Sequence, residues 1–88
     1  MNGAIVAHSQ FDQFLQEATY IDPEPGTTLD ADTLYGLYTS WCLLSRQKPH
    51  PEQAFWAAMD QRISPRQRLR MKGPAAADYI LTSYPAVV

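Results

Sequence analysis

Arg66-Gln67-Arg68-Leu69-Arg70-Met71-Lys72, then Gly73-Pro74-Ala75-Ala76-Ala77, then Asp78-Tyr79-Ile80-Leu81-Thr82: on this stretch the fold turns. Cations alternate with Gln67, Leu69 and Met71 at a period of two, as on a strand with one charged face and one less polar face. Gly-Pro is a turn signal, and Tyr79 to Thr82 are mostly strand-favouring residue types. The spacing therefore predicts a β-hairpin, with strands over 66–71 and 78–82.

Upstream of the hairpin the pattern is helical. Ser64-Pro65 stops a helix expected from Glu52 to about Arg62, with Pro51 at its first position and Phe55, Ala58, Met59 and Ile63 facing inward. Pro49-His50-Pro51 separates it from an earlier helix, capped by Asp30 or Asp32 and running to about Arg46. That helix carries Leu34, Leu37, Tyr38, Trp41 and Leu44 at helical spacing. A first helix is expected from Ser9, its cap, to near Tyr20, with Phe11, Phe14, Leu15 and Ala18 on one stripe. Asp22-Pro23-Glu24-Pro25-Gly26 ends it, and Thr27-Thr28-Leu29 reads as a short strand that pairs elsewhere. The fold class is mainly α with a small antiparallel sheet. The order helix, short strand, helix, helix, two-stranded wing is that of a winged helix. One domain is expected over 9–83, between tails at 1–8 and 84–88.

Charge is segregated along the chain. Six acids and no lysine or arginine lie before Arg46, whereas all seven cations lie between Arg46 and Lys72 against only Glu52 and Asp60, a net +5 within a chain of net −2. A basic half of this kind points to phosphate binding. Side chains two apart on a strand share a face and stand about 6.6 Å apart, so Arg66, Arg68, Arg70 and Lys72 suit a nucleic-acid backbone. Positive charge guarding an edge strand is the plainer explanation, but four cations exceed that need. Arg46, Lys48 and Arg62 are candidate helpers. On the third helix, Gln53 and Gln61 are candidates for base-edge contact, and Trp56 for stacking or for the rim of a small core. The acidic half reads as solvated and capping residues, or as a surface or lid for a basic partner.

Little in the sequence suggests catalysis. His8 and His50 stand apart, with no metal-ligand spacing around them. Cys42 lies in a helix built for burial, there is no phosphate-binding glycine loop, and no serine sits in a triad pattern. The expectation is a protein that is not an enzyme, with no cofactor, no metal and no small-molecule substrate. No apolar run is long enough to span a bilayer, and the lone cysteine suits a reducing, cytoplasmic setting.

Phe14-Leu15, the run Leu34-Tyr35-x-x-Tyr38-x-x-Trp41-Cys42, Pro49, Phe55 and the basic segment ending in Tyr79-Ile80 resemble the C-terminal domain of phage and plasmid primase-helicases of the poxvirus type. The resemblance covers roughly residues 11–81. It implies a winged-helix module that elsewhere is appended to a primase and a ring ATPase and is implicated in origin or template DNA binding. The function expected is nucleic-acid binding, to duplex or single-stranded DNA, in replication or transcriptional control of a phage, plasmid or mobile element. The alternative is a non-catalytic protein-interaction domain that docks a replication or host factor through its acidic half or its wing.

Overall fold

The computed structural model describes residues 6–23, 29–64 and 68–83. Its elements are α1 (Val6–Ala18), β1 (Thr19–Ile21), α2 (Ala31–Leu44), α3 (Glu52–Arg62), β2 (Leu69–Met71) and α4 (Gly73–Ser83). The chain is thus mainly helical with a two-stranded antiparallel sheet.

α2 and α3 form where the periodicity places them, except that Pro51 is the extended N-cap of α3 rather than its first helical residue. Asp30 caps α2, its Oδ1 accepting from the Thr33 backbone N–H at 2.7 Å and satisfying one of the amides a helix start leaves open. At its other end Arg46 adopts φ +57°. Gln47 N–H donates to the Cys42 carbonyl at 2.8 Å and Arg46 N–H to that of Leu43 at 3.2 Å, a Schellman closure with arginine where glycine is usual.

The aromatic spacing in these helices builds the core. Phe11, Phe14 and Ala18 of α1, Leu34, Leu37, Tyr38, Trp41 and Cys42 of α2, and Phe55, Ala58 and Met59 of α3 are all buried. Phe55 sits at the centre, its ring 4.7 Å from that of Tyr38, 5.1 Å from Tyr35 and 6.1 Å from Phe14. The polar ends of the tyrosines are satisfied, as burial requires. Tyr38 donates to Gln10 Oε1 at 2.9 Å and accepts from His50 N–H at 2.8 Å. Tyr35 donates to the His50 carbonyl at 2.9 Å.

Several expectations are corrected. α1 starts at Val6, so Ser9 lies within the helix rather than at its cap. α1 also stops at Ala18, and Thr19-Tyr20-Ile21 extends as β1. Two strand-favouring residues and an aromatic just ahead of Asp22-Pro23 lean toward extended backbone.

The hairpin is the largest correction. Residues 78–82 are helical, within α4, and β2 pairs instead with β1 in the register Thr19↔Met71, Tyr20↔Arg70, Ile21↔Leu69. Pro74 is preorganised for a first helical turn and three alanines follow it. Ala75 and Ala76 are buried and Tyr79 is half-buried, a face at helical spacing that outweighs the strand preference of Tyr79-Ile80. Gly73 makes the corner at φ +78°, where a Cβ would come within 3.0 Å of the Glu17 carbonyl oxygen. The positive φ is one that glycine adopts at little cost.

Of the strand expected over 66–71, residues 66 and 67 lie outside the described residues, and so do Thr27 and Thr28 of the other short strand. Leu29 is not in a strand, yet its N–H donates to the Leu69 carbonyl at 3.3 Å. It meets β2 on the edge opposite β1.

α4 lies antiparallel along α2, with Pro74 and Ala75 by Trp41 and Leu44, and Tyr79 against Gly36. Gly36 permits this closeness, since a Cβ there would stand 2.5 Å from Cε1 of Tyr79. A Gly36→Val substitution is expected to cost about 1–3 kcal/mol by overpacking, read by urea denaturation. Tyr79→Ala in the same background should recover part of that loss through the coupling of touching residues. Additive losses would mean that this contact does not set the helix separation.

Candidate nucleic-acid interface

β2 keeps the alternation read from its sequence. Leu69 is buried and Met71 half-buried on one face, Arg70 is exposed on the other, and Lys72, just past the strand, is exposed too. Arg68 begins the same charged row, and Lys72 closes the ribbon by donating its N–H to the Ala18 carbonyl at 2.8 Å. Arg66 lies outside the described residues.

The cations do not share one role. Arg68 Nη1 stands 3.4 Å from Asp22 Oδ2, each side chain only 18% exposed. Arg62 donates from Nε to Asp12 Oδ1 at 2.7 Å and from Nη1 to the Ala58 carbonyl at 3.0 Å. Its guanidinium carbon is 5.8 Å from the centre of the Phe11 ring. The charge segregation therefore has a structural use, since the acidic first half folds onto the basic second half and neutralises two of its cations. Pairs this close to the surface are worth about 0–1 kcal/mol each, so they orient more than they stabilise.

Arg70 and Lys72 form no ion pair among the described residues. Arg46 and Lys48 are exposed in the α2–α3 connection, where the Lys48 carbonyl accepts from Gln10 Nε2 at 3.2 Å. On α3, Gln53 and Gln61 are exposed, but so are Glu52 and Asp60. Trp56 is half-buried with its ring 4.8 Å from that of Phe55, which fits the rim of the core better than a free stacking platform.

One residue of this face escaped the sequence reading. Tyr20 was expected to end a helix, but it is the cross-strand partner of Arg70 and is 45% exposed. The signal was present in Thr19-Tyr20-Ile21 ahead of Asp22-Pro23. It was masked by the helical stripe running into it from Phe11.

Elsewhere the reactive groups are held in quiet surroundings. Cys42 is buried, and burial pushes its thiol pKa up, against a smaller opposing effect of its hydrogen bond with Tyr38. It is thus kept protonated and a poor nucleophile. Glu17 accepts from Trp41 Nε1 at 2.9 Å and from Gln13 Nε2 at 3.0 Å, and the Trp41 bond foremost holds its carboxyl below the usual range. Among the described residues no three histidine, cysteine or acidic side chains gather as a metal site, and no helix is long and apolar enough to cross a membrane. Compared with known protein families, with curated proteins and with solved structures, the chain matches none.

Proposed function

We propose that the chain is a non-catalytic nucleic-acid-binding module whose contact surface is the outer face of the β1–β2 ribbon. The observation that carries this reading is the pair Arg70, in β2, and Lys72, just past its end, both exposed and without an acidic partner among the described residues. Arg46 and Lys48 are exposed and able to add phosphate contacts, whereas Arg62 and Arg68 are already engaged with Asp12 and Asp22. The order α1, β1, α2, α3, β2 follows a winged helix up to its second wing strand. On that reading α2 and α3 are the helix-turn-helix, and the ribbon takes the place of the wing. The resemblance to the C-terminal domain of poxvirus-type primase-helicases supports a task in replication or transcriptional control of a phage, plasmid or mobile element.

Exposed acids on α3 make it a poor duplex reader, so the ribbon is expected to supply most of the affinity. Fluorescence anisotropy of labelled DNA, titrated with the protein across a salt series, tests the reading. Binding should weaken steeply as salt rises, because counterions are released from phosphates. Absence of binding at low salt would overturn it.

A second reading, docking of a protein partner, draws on apolar side chains left outside. Leu43 is 70% exposed and Leu81 73% exposed. A cavity of about 380 Å³ lined by Trp41, Leu44, Pro74 and Ala75 opens beside Glu17. A chain inert to DNA that co-purifies with a replication factor would favour this reading over the first.

A further inference from the structure

We infer that the ribbon face is built for single-stranded rather than duplex nucleic acid, with one base stacked on Tyr20 and the adjoining phosphates held by Arg70 and Lys72. The inference rests on the nucleic-acid reading above and names its ligand.

Three observations carry it. First, the register places Tyr20 directly across from Arg70. Partners in an antiparallel pair project from the same face of the sheet, so an exposed aromatic ring and an exposed guanidinium share one small surface. Second, Lys72 follows Arg70 by two residues, just past the end of β2, and is likewise exposed; at strand spacing the two stand about 6.6 Å apart, the scale of the step between phosphates of one strand. Third, the opposite face is covered at Thr19 and Leu69, each 5% exposed, and opens only at its end, where Ile21 is 54% exposed. Tyr20 is itself 45% exposed, and it is the only aromatic residue of β1 and β2.

The chemistry of the face selects the ligand. An aromatic face beside a row of cations is the pattern that binds unstacked bases together with their backbone. In a duplex the bases are stacked on each other, and Tyr20 would meet only sugar and phosphate. Major-groove reading needs an element that enters the groove, and a ribbon with three residues per strand does not reach. α3, the one helix positioned for that task in a winged-helix reading, exposes Glu52 and Asp60 toward a ligand that is itself negative.

The test compares a fluorescein-labelled oligothymidine with a random-sequence duplex of equal length, using the full chain at one fixed low salt concentration. The parent should bind the single strand more tightly. Tyr20→Ala should weaken single-strand binding between about 5-fold and 150-fold, the range for loss of one stacked base, and change duplex binding by less than about 2-fold. Tyr20→Trp should restore or exceed the parent's affinity, because a larger ring keeps the stack. Unchanged thermal melting of both variants excludes unfolding as the cause. Equal loss on both probes, no loss on either, or a parent that prefers the duplex would overturn the inference while leaving nucleic-acid binding intact. A parent that binds neither probe would overturn both.

Discussion

Phe55→Ala should leave the chain largely unfolded at room temperature. Phe55 is 0% exposed, and its ring lies against those of Phe11, Phe14, Tyr35, Tyr38 and Trp56, so it joins α1, α2 and α3 at a single point. Truncation removes the transfer energy of the ring and leaves a cavity that five aromatic neighbours cannot collapse around, at a cost of about 3–5 kcal/mol. Native domains hold only about 5–15 kcal/mol in total, and a chain of this length sits toward the bottom of that range. Far-UV circular dichroism should show lost helix, and the urea midpoint should fall to near zero. Tyr20→Ala, which removes an exposed ring, should melt with the parent within about 0.5 kcal/mol. Near-native melting of Phe55→Ala would mean that the packing of the three helices is wrong.

The second large effect is on binding. Replacing Arg70 and Lys72 together by alanine removes two exposed cations that form no ion pair among the described residues. If each neutralises one phosphate, the log–log salt slope on single-stranded DNA should drop by about 1.4, against about 1.8 on duplex. Extrapolated from molar salt, that is a loss of about 25-fold on the single strand at 0.1 M salt. Stability should change little, because both side chains are exposed and form no ion pair among the described residues. Arg62→Ala is the informative contrast. Its guanidinium is engaged with Asp12, Ala58 and Phe11, so it should lower stability modestly and leave the salt slope alone. An unchanged slope in the double variant would remove the ribbon from the interface and favour protein docking.

The helices α2 and α3 were legible in the residues themselves. Each has a break or cap at its start, apolar side chains at a period of 3.6, and a stop beyond its end, and such signals are local. The same holds for the inward faces of Phe55, Ala58 and Met59 and for the alternation of Leu69 and Arg70 along β2. The acidic and basic halves were visible too, but not their use. Only the fold shows that Asp12 and Asp22 meet Arg62 and Arg68, because ion pairing depends on approach in space.

The pairing of strands and the state of residues 73–83 were decided by tertiary structure alone. Strand-favouring residues at 79–82 are satisfied equally by a hairpin or by burial of one helical face. The surface of α2, opened at Gly36, offered α4 that burial. A three-residue strand has almost no stability of its own. It forms where a partner edge is presented to it, and for β2 that edge is β1, some fifty residues away along the chain. Tyr20 became a surface residue through that pairing, which is why the candidate site depends on a contact that nothing near it in the sequence announces.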